Sequence, residues 1–287
     1  MNWFWLALVA ILLNACNTVG SKKLLASRAV EPGVLLIVYR VITAIVLWIY
    51  FFASGNSFAD IQLTSGIVFV FILNVFAFSI ANLLYYQALK RADLSEVVLI
   101  MATQPFIAVG MGTFFSEPPT LLKIIAGVAS FSAIASLYTH EKHRIHWRFG
   151  HTMALGAVII FTIGGFSDKF LVLRLPLLHF TMVGITANAV AIAAIGSVSL
   201  RQVRDVMRGR QGVVLFGLGL LLLASALLYL QAYVVGGQVS QMLLLSYAGT
   251  AITVIAGIML FKEQKQILHK LAVAAVIFLS LLLVYRS

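Results

Sequence analysis

Long runs of apolar residues follow one another from the start of the chain to its end. At a rise of about 1.5 Å per residue, about 20 helical residues cross a hydrocarbon layer of about 30 Å. Charged residues, glycine and proline separate the runs and mark helix ends. The pattern predicts ten transmembrane helices, over residues 3–24, 33–53, 65–88, 94–115, 119–138, 152–172, 177–198, 212–232, 238–260 and 267–285.

The composition excludes a soluble globular protein. Of the 287 residues, 62% are hydrophobic and 10% are charged, and the mean hydropathy is +1.04. The net charge of +11 would suggest a nucleic-acid partner in a soluble protein, but the Lys and Arg residues lie mainly between the apolar runs. That distribution is typical of the positive-inside rule. We therefore expect contact with membrane lipid and no nucleic acid.

The first run begins at Trp3 without a basic segment before it, so we interpret it as a retained helix rather than a signal peptide.

The two halves of the chain resemble each other. The segment LLYYQA at 83–88 in the third predicted helix matches LLYLQA at 227–232 in the eighth, 144 residues later. Three further landmarks keep nearly the same spacing: SKKLL at 21–25 with SDKFL at 167–171, Pro32 with Pro176, and FFSE at 114–117 with LFKE at 260–263. Five helices are an odd number, so the second half would cross the membrane in the opposite sense. We predict an all-α membrane protein of two inverted five-helix repeats, 1–140 and 150–287.

The order of these motifs resembles a known family. A first helix ending in Ser-x-Lys is followed by Pro32, Arg40, a Tyr-x-Gln-Ala-Leu-Lys segment at 85–90, Pro105 and Glu117. This order resembles the ten-helix, EamA-like branch of the drug/metabolite transporter superfamily, over essentially the whole chain. A serine at 116 stands where the family usually has glycine. The resemblance implies alternating access around a central cavity, in a bacterial plasma (inner) membrane, and it does not specify the substrate.

Two indicators of orientation disagree. With both termini outside, the cytoplasmic connections hold 15 Lys and Arg residues and the opposite side holds 4, with Arg40 left inside a helix. The positive-inside rule therefore favours external termini. The family resemblance implies cytoplasmic termini. The orientation and the oligomeric state stay open.

Polar side chains inside the predicted helices are the candidates for a binding site, because each one is costly in lipid and needs a structural or functional reason. Asn14 and Asn17 share one helical face, as do Asn82, Tyr85 and Tyr86. The predicted substrate-binding residues are Asn14, Asn17, Tyr39, Arg40, Asn82, Tyr85, Tyr86, Gln104, Asn188, Tyr229, Gln231 and Tyr247. The alternative is that these groups make interhelical hydrogen bonds that hold the bundle together.

Arg40 and Pro105 are the sharpest candidates. An arginine facing lipid would cost about 2.5–3.5 kcal/mol, so Arg40 needs a partner or water. It either receives a carboxylate or phosphate of the substrate, or pairs with Glu31, or extends to the interface. Pro105 lacks an amide hydrogen and should kink the fourth helix, which suggests a hinge or gate.

The acidic residues all lie in predicted connections or near helix ends, and we expect no carboxylate in the middle of the membrane. Cationic drugs are therefore poor candidate substrates, since a buried carboxylate is the usual counter-ion. Histidines 140, 143 and 146 alternate with Lys and Arg, whose charges oppose a divalent ion. We expect neither a metal nor a cofactor.

Three functions remain open for such a chain. The first is a secondary transporter that moves a small metabolite, an amino acid or a similar neutral, zwitterionic or anionic compound, by alternating access. The second is an accessory or lipid-flipping membrane subunit. The third is an integral-membrane enzyme acting on lipids, which is disfavoured because the sequence has no HExxH, no paired aspartates and no Gly-x-Ser-x-Gly. The expectation is therefore a transporter and not an enzyme.

Overall fold

The fold is known from a computed structural model of the full chain. It describes residues 2–26, 30–58, 61–92, 94–117, 119–139, 149–196, 198–208 and 210–260, with isolated positions 272, 275, 276 and 279. Within these residues every regular element is helical. The helices are α1 Trp3–Ala26, α2 Pro32–Ala53, α3 Ser65–Arg91, α4 Leu94–Met101, α5 Gln104–Gly112, α6 Leu121–Thr139, α7 Phe149–Val172, α8 Leu177–Gly196, α9 Leu200–Met207, α10 Arg210–Val234 and α11 Val239–Leu260, with a 3-10 turn at Thr113–Phe115.

The helix bounds agree with the predicted spans to within a few residues, except in the fourth span, which is divided into α4 and α5. The all-α class is confirmed for the described residues. Six helices, α1, α2, α3, α7, α8 and α10, are long and apolar enough to cross a membrane. The predicted tenth span, the Glu263 landmark and histidines 140, 143 and 146 lie outside the described residues. Ten spans, the inverted repeat and its boundaries stay predictions.

One short helix was missed in the sequence. The polar connection after α8 contains α9, whose first turn is closed by a capping box. The Ser199 hydroxyl accepts a hydrogen bond from the backbone N–H of Gln202, and the Gln202 side chain accepts one from the backbone N–H of Ser199. The Ser-x-x-Gln pattern is a recognised start signal for a helix. A search for caps in the connections would have found it.

The strongest packing joins the first half of the chain to the second. α1 lies antiparallel to α10, because Asn17 Nδ2 donates to the Leu218 carbonyl at 2.8 Å and Ser225 Oγ donates to the Ala10 carbonyl at 2.8 Å. α3 lies antiparallel to α7 and α2 packs on α8. The bundle therefore has helices of both halves around its centre.

Glycine permits two of these helix pairs to approach closely. A Cβ added at Gly20 in α1 would come within 2.7 Å of Leu218 in α10, and a Cβ added at Gly164 in α7 would come within 2.7 Å of Phe78 in α3. A side chain at either position would require Leu218 or Phe78 to move. Small residues have this role at many helix contacts in membranes.

The fourth span is broken at Ala102 and Thr103, just before Pro105. Proline supplies no N–H for the Met101 carbonyl, and the Phe106 N–H bonds to the Thr103 carbonyl at 3.1 Å instead of continuing the regular ladder. The Ala102 carbonyl is consequently left for another donor. The buried hydroxyl of Tyr247 in α11 supplies the bond, at 2.9 Å. The break that Pro105 predicted is therefore present, and α11 stabilises it.

Replacing Tyr247 by Phe should destabilise the bundle by about 1–3 kcal/mol, because the Ala102 carbonyl loses the hydrogen bond from the Tyr247 hydroxyl. The measurement is thermal unfolding of the purified protein in detergent. Tyr50→Phe is the matched control, since Tyr50 is 59% exposed and its substitution should leave the transition unchanged. Equal unfolding temperatures for Tyr247→Phe and the unmodified protein would show that the hydroxyl does not support the break.

Candidate functional site

A cavity of about 380 Å³ lies where the two halves of the chain meet. It is bordered by α1, α2, α3, α4 and α5 from the first half and by α7, α8, α10 and α11 from the second. Its polar lining consists of Asn14, Thr18, Arg40, Asn74, Asn82, Tyr85, Tyr86, Gln104, Asp168, Thr181, Asn188, Ser225, Tyr229, Ser246, Thr250 and Thr253. Aromatic and aliphatic side chains cover the remainder. Such a mixture of apolar walls and a few convergent polar groups is typical of small-molecule sites.

Eight of the twelve predicted binding residues line this cavity: Asn14, Arg40, Asn82, Tyr85, Tyr86, Gln104, Asn188 and Tyr229. Asn17, Tyr39, Gln231 and Tyr247 are not part of the lining. The Tyr247 hydroxyl is used at the break in the fourth span, as described above. Hydrogen bonds to other helices account for the positions of Asn17 and Tyr39.

Asn17 and Tyr39 belong to a hydrogen-bonded network behind the cavity wall. Ser21 Oγ lies 3.4 Å from Asn17 Oδ1 and 3.0 Å from the Tyr39 hydroxyl. The hydroxyl of Tyr86, which does line the cavity, donates to Asn17 Oδ1 at 3.4 Å. For Asn17 and Tyr39 the interhelical alternative is therefore the better description, since they join α1, α2, α3 and α10 and hold Tyr86 in place.

Arg40 extends from α2 into the cavity wall. Its Nε atom is buried and has no hydrogen-bond partner, and no ion pair of its guanidinium is found in the part of the chain that the structure describes. Glu31, the structural partner considered for Arg40, instead pairs with Lys90 at 2.6 Å. A guanidinium with unused donors in an apolar bundle is costly unless a ligand or water satisfies it.

Asp168 is a carboxylate in the lining of the cavity, although the sequence placed every acidic residue in a connection or near a helix end. It is in α7, four residues before the end of that helix, and it faces the cavity. Its Oδ1 accepts a hydrogen bond from Asn74 Nδ2 in α3 at 2.9 Å. The sequence did not reveal this role, because a residue near a helix end can still face a cavity that extends to that depth inside the bundle. The argument against cationic substrates from a missing carboxylate is therefore withdrawn.

Asn74 fixes the position of that carboxylate. Its Nδ2 atom also lies 2.9 Å from Ser167 Oγ and 3.4 Å from the Gly164 carbonyl. One amide group thus contacts three residues of α7. Asn74 is 2% exposed. The pair lies on the closely packed contact of α3 with α7, which leaves the aspartate little freedom to move.

A second charged cluster lies beyond the cavity, at the end of the bundle where α1 begins. Glu117, which is 2% exposed, follows the 3-10 turn and accepts a hydrogen bond from Lys169 Nζ at 2.6 Å. The same carboxylate accepts from the backbone N–H of Val239 at 2.9 Å and from the backbone N–H and hydroxyl of Ser240, both at 3.1 Å. These N–H groups are the first of α11, where a helix favours negative charge. Glu117 therefore joins the α5–α6 connection to α7 and α11.

The chain around Glu117 is shaped to hold it. Ser116 has a positive φ of 59°, the left-handed conformation that favours glycine. A Cβ at Gly112 would lie 2.6 Å from the Glu117 carbonyl oxygen, so only glycine fits there. Next to this turn, Lys123 Nζ donates to the Gln238 side chain. We define the Glu117 cluster as Glu117, Lys123, Lys169, Gln238 and Ser240.

Burial alone would raise the pKa of Glu117, but the hydrogen bonds from Lys169, Ser240 and Val239 outweigh burial and hold the pKa below its ordinary value. The carboxylate is charged at neutral pH. The contribution to stability is therefore complete above the ordinary pKa of a glutamate and is lost as the pH falls through the lowered value.

Replacing Glu117 by Gln should lower the free energy of unfolding at pH 7 by about 2–3 kcal/mol, since Lys169 and the first N–H groups of α11 lose their shared anion. Thermal unfolding in detergent, repeated at several pH values, measures it. The difference from the unmodified protein should shrink as the pH falls below the ordinary pKa of a glutamate and disappear below the lowered pKa of Glu117. Glu31→Gln removes an exposed ion pair and should have little effect. A difference for Glu117→Gln that does not change with pH would contradict the charged role.

Comparisons with known proteins agree with this architecture. A comparison with curated proteins finds no match. A protein of known crystal structure has the same fold, with a TM-score of 0.73 and 18% sequence identity, over 98% of this chain and 95% of that chain. Residues 1–139 match the EamA-like transporter family, which confirms the resemblance drawn from the motifs. The first 139 residues of the chain are thus similar to the EamA-like transporter family.

Proposed function

We propose that this protein is a secondary transporter that carries a small metabolite by alternating access, with the cavity between its halves as the binding site. The observation that carries the proposal is Arg40. Its guanidinium faces a partly polar cavity of about 380 Å³, and no described residue neutralises it as an ion-pair partner. A substrate with a carboxylate or similar anionic group would supply the missing partner.

The packing of the helices supports two repeats related by a twofold axis. The sequence repeat equates α1 with α7, α2 with α8, α3 with α10, and the divided helix α4–α5 with α11. If the two halves are exchanged, the contact of α3 with α7 becomes the contact of α10 with α1. In the same way, the contact of α1 with α11 becomes the contact of α7 with α4 and α5. All four contacts are present, and α2 packs on its own counterpart α8. Repeats of this kind are common in alternating-access carriers.

The Glu117 cluster supports a carrier with one end closed. Phe166 and Leu171 of α7 and Val239 of α11, the helices that Glu117 joins, belong to one buried apolar cluster with Phe4. Access to the cavity from that end requires α7 and α11 to separate from the α5–α6 connection, and hence the bonds of Glu117 to break. Breaking this ion pair on opening costs free energy, and the binding of substrate can offset that cost.

The divided fourth span also supports this function. Met101 and Gln104 flank the break and both line the cavity. Helices interrupted beside the substrate are frequent in secondary transporters, because their freed backbone groups are available to the ligand. In this proposal Pro105 is the gating residue, since the break that it causes lets α4 and α5 change their relative angle.

Replacing Arg40 by Gln should reduce transport of anionic or zwitterionic substrates about 10- to 100-fold, mainly through weaker binding, since one charge-assisted hydrogen bond is lost. Uptake of labelled amino acids and of their deaminated carboxylates into proteoliposomes measures it. Arg40→Lys keeps the charge without the planar donors and should retain part of the activity.

The control is Arg204→Gln on α9, where the arginine side chain is 59% exposed and distant from the cavity. This variant should transport at the normal rate. Undiminished uptake of every carried substrate by Arg40→Gln would remove Arg40 from the site, and absence of flux for the whole panel in the unmodified protein would overturn the transport function.

A further inference from the structure

Two opposite charges face the cavity from different halves of the chain. Arg40 is in α2 of the first half, and Asp168 is in α7 of the second. The ion pairs among the described residues do not include them. The cavity therefore holds a separated positive and negative group.

The hydrogen bonds around the two groups place their backbones at different levels of α3. Asp168 is bonded to Asn74 of α3, whereas Tyr39, the neighbour of Arg40, joins the network of Ser21 and Asn17 that also bonds Tyr86 of α3. Residues 74 and 86 of a helix are about 18 Å apart at about 1.5 Å per residue. The two charged side chains therefore enter the cavity from different levels of the bundle.

Both groups have unused hydrogen-bonding capacity. A carboxylate can accept about four hydrogen bonds, and among the described residues Asp168 receives one, from Asn74. The Nε–H of Arg40 donates to none of the described residues. Further protein donors or acceptors would be expected if the two groups only held helices together, because unsatisfied polar groups are costly when buried.

The wall between the charges is partly apolar. Phe78 of α3 and Phe161 of α7 line the cavity with ring centroids 5.8 Å apart, and Leu222 and Leu243 complete this side. A ligand with two charged groups and a carbon side chain would satisfy both kinds of surface.

We propose that the substrate is a zwitterion, whose ammonium group binds Asp168 and whose acid group binds Arg40. This inference deepens the proposed function and rests on it. The combined charge of Arg40 and Asp168 is zero, so a ligand of zero net charge with separated poles matches it. A simple anion leaves Asp168 without a partner and is repelled by it, and a simple cation has the same difficulty with Arg40. Cations are therefore disfavoured because of Arg40, although a carboxylate is present.

The test compares ligands that differ in one charge. Purified protein in detergent is screened by thermal shift against the twenty proteinogenic L-amino acids. The amino acid with the largest shift is then compared with its amide, which is a cation, and with its deaminated acid, which is an anion. Isothermal titration gives the three dissociation constants. We expect the zwitterion to bind about 10- to 100-fold more tightly than either analogue, because each analogue lacks one charge-assisted contact.

Variants test which residue binds the ammonium group and which binds the acid group. Asp168→Asn should abolish the preference for the zwitterion over the deaminated acid, while Asp168→Glu should keep it in part. Arg40→Gln should abolish the preference over the amide. Asp205→Asn on α9 removes a 58% exposed carboxylate and is the matched control. If Asp168→Asn is not monodisperse in detergent, the Glu variant and the ligand series in the unmodified protein decide the question.

The outcomes separate this inference from the proposed function. No thermal shift with any amino acid, or binding of the deaminated acid as tight as that of the zwitterion, overturns the zwitterion site. Flux of an anion into proteoliposomes in that case leaves the transport function standing. Tight binding of a zwitterion without any flux overturns the transport function and leaves the site.

Discussion

The cost of placing charge inside an apolar helical bundle is the constraint on which the rest of this structure depends. Every charged side chain that enters the bundle must be satisfied by a partner, by water or by a ligand. Glu117 meets this requirement with Lys169 and the first N–H groups of α11. Arg40 and Asp168 meet it only in part within the described protein. The difference separates a charge that holds helices together from charges that are available to a solute.

The repeat predicted from the sequence would place different chemistry at matching positions. The motif SKK at 21–23 aligns with SDK at 167–169, which pairs Lys22 with Asp168. Lys22 Nζ donates to the carbonyls of Leu89 and Ala92 at the end of α3, at 2.6 and 2.9 Å. Asp168 at the equivalent place faces the cavity. One half thus uses the position to cap a helix, and the other places a carboxylate in the site.

Helix positions could be predicted from the sequence because lipid imposes a simple rule of length and hydropathy. The break at Pro105 was also predictable, since it follows from a missing N–H. The use of each polar group was not. Asn17 and Asn14 lie on the same face of α1, yet Asn17 bonds to α10 and Asn14 lines the cavity. Asp168 was assigned to a helix end because a linear sequence gives depth but does not show the inner shape of the bundle.

The glycine contacts at Gly20 and Gly164 have a consequence for the way the molecule changes shape. At these two positions the side chains of Leu218 and Phe78 fill the space that a Cβ would occupy. In the proposed transport cycle, sliding of α1 along α10, or of α3 along α7, would have to displace these side chains. We therefore expect each pair, which contains one helix from either half, to move as a unit.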